Sequence, residues 1–421
     1  MRFATLAEWL AWQEQLHPKA IDMGLGRVSK VFQAMRPRPA TPFTITVGGT
    51  NGKGSSVALL SAILRAEGYR VGAYTSPHLL RYNERIRIDG ECLDDAALCA
   101  AFARVDHARG DTSLSFFEFG TLAALDVFAQ AALDVQILEV GLGGRLDAVN
   151  IIDADAALIA SIDIDHRDWL GHSREAIALE KAGILRPGRP AVIADPQPPH
   201  TLFDYAQAQG ISLSCQGRDF GFRHHGETWD WWGAGDTLSG LPLPALAGGH
   251  QLLNAAAVIQ LLRTVAAVRP VSAEAIRTGL RTVKLDGRFQ YFPGSPPVLL
   301  DVAHNPQAAG NLAEYLRAEF AGKSIHAVFA VMRDKDVAGI VQPLREVVRH
   351  WYLAPIPLQR SAPESELSAV FAELSVAEVT GGFATAADAI AAARAAAPAD
   401  GLVLVFGTFP LVSEFLALNP Y

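Results

Sequence analysis

The sequence predicts an α/β protein of two domains, each built on a sheet of mostly parallel strands. Three observations carry this expectation. Short apolar, β-branched runs alternate with helical stretches along most of the chain, and such alternation gives parallel sheets covered on both faces. A Gly-rich turn joins a strand to a helix near residue 50, and a second strand–helix series begins after the Gly- and Pro-rich stretch 286–297. That stretch is expected to be a linker between domains at 1–285 and 298–421, since few contacts cross such segments.

The elements follow in order. Two amphipathic helices, near Leu6 to Leu16 and Arg27 to Met35, open the chain, and a Pro-rich stretch from Arg36 to Pro42 ends them. Phe43 to Val47 is β-branched enough for a buried strand, and helical periodicity runs from Ser55 to Glu67, stopping at Gly68. Further strands are expected near Arg70 to Tyr74, Val135 to Val140, Ala156 to Ile162 and Ala191 to Ala194, with helices such as Phe119 to Ala131 and Arg174 to Ala182 between them. From Gly217 to Gly249 the texture changes to Trp, Gly and Thr in short runs, which reads as hairpins, and helices near Asn254 to Val268 and Ala273 to Thr282 close the first domain. The second domain has strands at Val298 to Ala303, Ile325 to Val331, His350 to Leu353 and Leu402 to Phe406. The Ala-rich run Ala384 to Ala397 is a surface helix by propensity.

Composition narrows the function. Half of the 421 residues are hydrophobic and 19% are charged, and 36 basic against 44 acidic residues leave a net charge of −8. An acidic chain without a basic patch offers no attraction for nucleic acid or an anionic membrane, so neither is expected as a partner. Cys92, Cys99 and Cys215 form no CxxC pair, which fits a reducing compartment. Glu8 and Glu14 interrupt any secretory core, and the apolar run 255–268 is broken by Gln260, Arg263 and Thr264, short of the roughly 18 residues a membrane span needs. The expected location is the cytoplasm.

Four segments carry chemistry. Gly49-Thr-Asn-Gly-Lys-Gly-Ser55 lies between a strand and a helix, where backbone N–H groups and a helix N-terminus hold phosphate oxygens; Lys53 would neutralise phosphate charge and Ser55 would offer an oxygen to Mg²⁺. Its spacing departs from the common GxxxxGK[ST] pattern, and the bland alternative is a glycine turn with a solvated lysine. Glu139 ends one strand and His166 follows another, the place where open α/β sheets bind ligands, so both are candidate metal ligands; a structural histidine is the alternative for His166. The stretch 74–87 packs His78, Arg81, Arg85 and Arg87 together, either a solvated hairpin face or an anion-binding wall. Lys181, near a helix C-terminus, is placed favourably there as a cation and by itself would count as structural. Asp301 to Pro306, Asp334 to Asp336 and Gly407 to Phe409 follow strands of the second domain and are expected at one edge of its sheet, facing an interdomain cleft.

Seven motifs in order, GTNGKGS (49–55), TSPHLLRYNERIRI (75–88), FFEFGT (116–121), LEVGLGGRLDAVN (138–150), DHRDWLG (165–171), EKAGI (180–184) and DVAHNP (301–306), resemble the folylpolyglutamate synthase family over nearly the whole chain. LHPKAID (16–22) together with DWLG resembles its bacterial two-acceptor branch. The resemblance implies the superfamily of the Mur ligases: an N-terminal P-loop ATPase-type domain with a mostly parallel sheet and a smaller, Rossmann-like C-terminal α/β domain. It implies ATP-dependent ligation of L-glutamate to dihydropteroate and to reduced folates such as tetrahydrofolate through an acyl phosphate, with Mg²⁺, in a monomer. By motif, Thr50, Asn51, Gly52, Lys53, Gly54 and Ser55 resemble the triphosphate loop, and Asn254, Arg288 and Asp301 contacts to the rest of ATP. Ser76, Glu139 and His166 resemble the metal ligands. Lys181 matches a lysine that is carbamylated in the family, where it binds metal or orients the acyl phosphate, and His304 faces the glutamate or phosphate. The pteroate pocket is expected from Ile21, Asp22 and Met23, from Ser115, Phe116, Phe117 and Glu118, and from Leu146, Asp147 and Ala148. In it Asp147 would hydrogen-bond the pterin and Phe117 stack on it. Asp286 stands before Gly287-Arg288 where the family usually has Pro, and Thr408 where it has Ser.

Two other readings share parts of this pattern. A Mur-type ligase acting on a nucleotide-linked precursor would need a domain for the nucleotide-sugar tail, and the phosphate loop at Gly49 leaves little room before it. A phosphate-loop switch would turn over ATP without needing an amine and an acceptor.

Overall fold

The computed structural model describes residues 2–36, 42–233 and 235–418; the Pro-rich run expected to end the second helix lies largely outside them, at 37–41. The chain divides into two compact units, 1–163 with 170–245 and 252–283, and 284–421 with the short segments 164–169 and 246–251. Those two segments fall in the second unit although the sequence places them within 1–285.

Among the described residues, the larger sheet of the first unit has eight strands: β1 (Phe43–Gly48), β2 (Val71–Tyr74), β3 (Ile86–Ile88), β4 (Glu91–Cys92), β5 (Val135–Glu139), β6 (Ala156–Ile159), β7 (Ala191–Ile193) and β8 (Leu213–Cys215). They form one sheet in the order β4-β3-β2-β5-β1-β6-β7-β8. Its pairings are parallel from β2 to β8, and the β3 and β4 pairings are antiparallel. All five residues of β5 are buried, as a strand covered on both faces requires. Register puts Val47 opposite Glu139 and Leu158, and Tyr74 opposite Leu138, so the loops leaving β1, β2, β5 and β6 emerge side by side. The helix Lys53–Glu67 starts two residues earlier than expected and packs against the helix Ala273–Thr282, where a Cβ on Gly279 would collide with Ile63. The run after residue 217 forms a separate antiparallel sheet of β9 (Phe220–His225), β10 (Thr228–Gly233) and β11 (Asp236–Pro242).

The helix expected from Phe119 begins at Phe116. Ser115 accepts from the Glu118 N–H at 3.3 Å while Glu118 accepts from the Ser115 N–H at 2.7 Å, a capping box that sets the start.

The second unit holds β12 (Gln290–Phe292), β13 (Val298–Asp301), β14 (Ile325–Phe329), β15 (His350–Leu353), β16 (Val379–Thr380) and β17 (Leu402–Phe406), ordered β12-β13-β17-β14-β15-β16. Only β12 is antiparallel. It lies inside the stretch 286–297 expected to be a linker, because three residues between Gly and Pro turns suffice to pair along the free edge of β13. Asp301, Phe406 and Phe329 are in register, so the loops after β13, β17 and β14 leave the same sheet end, as anticipated for 301–306, 334–336 and 407–409.

Candidate active site

The loop Gly49–Ser55 leaves β1 and enters the helix Lys53–Glu67, with Gly52 at φ +84° and Gly49 at φ +145°. Both glycines are enforced by neighbours as well as by backbone conformation. A Cβ on Gly49 would lie 2.9 Å from the Ala160 Cβ, and one on Gly52 would lie 2.5 Å from Asn254 Oδ1. Asn254 therefore sits directly against the loop. The Thr50 N–H donates to Ser161 O at 2.6 Å and the Thr50 hydroxyl to Asp163 O at 2.9 Å. Asn51 N donates to Ser161 Oγ at 3.0 Å. Lys53 Nζ donates to the Gly49 and Thr50 carbonyls at 3.0 and 3.1 Å, so the ammonium is held across the mouth of its own loop. Ser55 is buried in the first helical turn, next to Gly54.

Glu139 is buried at the end of β5, beside the start of this loop, and its Oε2 accepts the Ser76 N–H at 3.1 Å. Ser76, Glu139 and Ser55 supply hard oxygen donors that suit a small divalent cation. Among the described residues no three His, Cys, Asp or Glu side chains converge as a metal cluster, so an ion bound by such a set must complete its shell with other oxygens. Lys181 is buried in the last turn of the helix Arg174–Ala182. Gly144 lies against this helix, where a Cβ would be 3.2 Å from Lys181 Cα, and Arg145 N donates to Glu180 O at 2.8 Å.

Asp147 closes the loop 141–149 on itself. Its Oδ2 accepts from Gly141 N and Leu142 N at 3.0 and 2.9 Å, and its Oδ1 from Val149 N at 3.0 Å. Burial pushes its carboxyl up to about 7 against these donors. Leu146 and the buried Ala148 flank it. The Phe117 ring lies over Gly141, where a Cβ would meet it at 2.7 Å, and 5.8 Å from the Tyr74 ring. The Phe116 ring lies 5.6 Å from the Tyr82 ring and 5.4 Å from the Arg85 guanidinium. Met23 approaches Gly143 beside Leu170, and Ile21 and Asp22 precede it in the same turn. The dense stretch 74–87 resolves into separate contacts: Arg81 pairs with Asp95 at 3.0 Å, Arg85 donates to His78 Nδ1 at 2.8 Å and Arg87 to Glu84 O at 3.3 Å.

In the second unit, Asp165 is a hub that sequence reasoning missed. Lys335 Nζ lies 2.5 Å from its Oδ1, Asn305 Nδ2 donates to Oδ2 at 3.2 Å, and His304 Nε2 stands 3.6 Å from Oδ2. Burial alone would raise this carboxyl, but the charges of His166 and Lys335 and the Lys335 hydrogen bond hold it well below the usual carboxylate range. His166 follows it with φ +51°, an uncommon backbone state for a residue with a Cβ. His304 Nδ1 lies 2.8 Å from Val302 O, so Nδ1 carries the proton and Nε2 the lone pair; burial lowers this imidazole to about 4. Asp301 accepts from Ala303 N at 2.7 Å and Phe289 N at 3.2 Å, and burial raises it to about 6. Arg288 stands over the Phe409 ring at 5.4 Å.

Residues 287–409 match the family model described as Mur ligase, glutamate ligase domain. The dihydrofolate synthase/folylpolyglutamate synthase of Escherichia coli K12 is 45% identical over 411 residues, covering 98% of this chain and 94% of that one. The protein of that name from Haemophilus influenzae is 40% identical over 436 residues, with 98% and 97% covered. The chain belongs to the dihydrofolate synthase/folylpolyglutamate synthase family. Among solved structures it is similar to E. coli FolC in complex with DHPP and ADP, with a TM-score of 0.93 and 44% identity over 99% of this chain and 97% of that one. It is likewise similar to the Yersinia pestis bifunctional folylpolyglutamate synthase/dihydrofolate synthase complexed with AMPPNP and Mn ion, with a TM-score of 0.90 and 42% identity over 99% and 98%. Within this family's two α/β units, the structure gathers Gly49–Ser55, Asn254, Ser76 and Glu139 at one sheet end of the first, and Asp165, His166, Asp301, His304 and Lys335 at the other unit's loop cluster. Asp165, Asn305, His17 and Lys335 lie in segments the sequence marks (165–171, 301–306, 16–22 and 334–336) without being singled out there, and Arg27 is read only as a helix start. The polar loop signal at 334–336 points at Lys335 without its partner.

Proposed function

We propose that the chain is an ATP-dependent ligase that joins L-glutamate to dihydropteroate, giving dihydrofolate, and to reduced folates such as tetrahydrofolate, giving γ-linked glutamates. The observation that carries this reading is the placement of Glu139 and Ser76 beside the Lys53 loop, joined by the Ser76 N–H to Glu139 contact of 3.1 Å, in a chain whose relatives bear that name over almost their whole length.

In this reading the N–H groups of Thr50 to Ser55 and the Lys53 ammonium hold the ATP phosphates, and Asn254, Arg288 and Asp301 hold the remainder of the nucleotide. Ser55, Ser76, Glu139 and His166 hold Mg²⁺, which when bound offsets charge on the transferring phosphoryl group. Lys181, carbamylated by CO₂, becomes an anion that binds metal or orients the acyl phosphate. The acceptor carboxylate attacks the γ-phosphorus, the bond to the ADP oxygen breaks, and an acyl phosphate forms. The amino group of L-glutamate then attacks the acyl carbon, loses a proton, and phosphate leaves as the amide forms. Little covalent help is needed; alignment and charge supply the rate. His304, neutral with its Nε2 lone pair available, serves the glutamate or phosphate region. Ile21, Asp22, Met23, Ser115 to Glu118 and Leu146 to Ala148 form the pteroate site, with Phe117 as stacking partner. No helix among the described residues is long and apolar enough to cross a membrane; we place the enzyme in the cytoplasm as a monomer.

The test is phosphate release from ATP and Mg²⁺ with L-glutamate and either dihydropteroate, tetrahydrofolate or no acceptor, with product masses read in parallel. Turnover with both acceptors, each product heavier by one glutamyl unit, is expected. Turnover with tetrahydrofolate alone removes the dihydropteroate half of the proposal, and turnover without acceptor returns the chain to the phosphate-loop switches.

A further inference from the structure

The segment 17–27 is strapped at both ends to one short stretch, 113–118. His17 Nδ1 lies 3.0 Å from Ser113 Oγ and its Nε2 lies 3.0 Å from Asp22 Oδ2. An ionised carboxylate only accepts, so Nε2 carries the proton and Nδ1 accepts the serine hydroxyl. At the other end Arg27 donates Nη1 to Asp22 Oδ2 at 2.6 Å, and Nη2 to the Asp22 carbonyl at 2.9 Å and to Glu118 Oε1 at 3.1 Å. Glu118 is buried, and its Oε2 takes the Ser115 N–H at 2.7 Å and Arg27 Nε at 3.4 Å. Both of its oxygens are thus engaged by the framework.

Asp22 is different. Its Oδ2 takes two strong donors, while its Oδ1 faces Lys19 Nζ at 3.6 Å, a lysine whose side chain is 68% exposed. One oxygen is anchored and the other presented beside Ile21 and Met23. The hydrogen bond of His17 and the charge of Arg27 lower the carboxyl of Asp22 further, which keeps the presented oxygen a pure acceptor.

We propose that His17 and Arg27 are positioning residues for acceptor recognition, holding Asp22 so that Oδ1 accepts an N–H of a 2-amino-4-oxo heterocycle such as pterin. This rests on the pteroate-site reading of Asp22. The guanidinium suits this role, because an Arg fork fixes a carboxylate's orientation and a single flexible ammonium does not. Arg27 and His17 do not touch the acceptor, and they act through Asp22.

The experiment is steady-state kinetics of the full chain with dihydropteroate, for wild type, Arg27→Met, Arg27→Lys, His17→Gln and Asp22→Asn. Arg27→Met is expected to raise the KM for dihydropteroate roughly tenfold or more while kcat and the KM values for ATP and glutamate change by less than about threefold. Arg27→Lys recovers part of that loss, and Asp22→Asn matches Arg27→Met. Unchanged acceptor KM in a folded Arg27→Met protein overturns the inference, as does a uniform rise in every KM with a lowered melting temperature. If Arg27→Met does not fold, His17→Gln, which removes one end of the strap alone, is held to the same criterion. Absence of dihydropteroate turnover in the wild type instead brings down the pteroate reading itself.

Discussion

Lys335 Nζ and Asp165 Oδ1 meet at 2.5 Å, and both side chains are only 7% exposed. An ion pair so withdrawn from water is poised between its Coulombic gain and the cost of desolvating two charges. Removing one partner leaves the other charge stranded. Lys335→Met is therefore expected to cost about 3–5 kcal/mol of stability, and Lys335→Met with Asp165→Asn to recover much of it. Urea denaturation of the two variants and the wild type checks this; equal stability of all three would mean the pair is solvated. With His166, which directly follows Asp165, in its proposed role as a metal ligand, Mn²⁺ affinity read by electron paramagnetic resonance is expected to fall with Lys335→Met as well.

Gly52 answers two constraints at once, its φ of +84° and the Asn254 side chain 2.5 Å from where a Cβ would stand. Gly52→Ala is expected to cost about 1–3 kcal/mol and to weaken binding of a non-hydrolysable ATP analogue measured by calorimetry. Adding Asn254→Ala relieves the clash without relieving the backbone, so stability returns only in part. Full recovery in the double variant would make sterics the sole cause.

Asp147 provides a pH signature. Its carboxyl is raised by burial to about 7 from an ordinary 3.8, so between these values the folded state binds a proton that the unfolded state does not. Stability at this group is then fully present below the lower value and falls as pH rises through the higher one. The wild type is expected to lose stability between about pH 4 and 7 in denaturant titrations, and Asp147→Asn to flatten that decline. Parallel curves would show the carboxylate to be ionised throughout, held by its three backbone donors.

His304 is expected to be a neutral ring with its proton on Nδ1, given the 2.8 Å contact to Val302 O and its lowering by burial to about 4. Nitrogen-15 NMR of histidine-labelled protein, with His304→Gln to identify the resonance, is expected to show no titration of this ring between about pH 5.5 and 8. A midpoint near the ordinary histidine value would contradict it.

What the sequence discloses and what it hides follow from distance along the chain. The loop 49–55 is legible because strand, glycines, lysine and helix are contiguous, and the strand ends at 139 in the first unit and 301 in the second draw attention because open parallel sheets bind ligands at such ends. The pair of Glu139 with Ser76 needs motif resemblance, since only the β2–β5 register brings them together. Arg27 with Glu118 and Asp165 with Lys335 are separated by 91 and 170 residues, and each looks in isolation like an ordinary surface charge. The strand at 290–292 reads as linker because an edge strand of three residues carries no periodicity of its own.

The strand order has a consequence for how the molecule comes into being. β1, which launches the proposed nucleotide loop, has only β5 and β6 as sheet neighbours, and these are Val135–Glu139 and Ala156–Ile159. A nascent chain ending before Val135 holds β1 without a partner on either side, so the loop that is written early is assembled late. Such nonlocal pairing is slow and leaves an apolar strand exposed meanwhile. Nucleotide binding thus reports the completion of the first sheet, and ATP in the medium during refolding favours the finished arrangement by mass action.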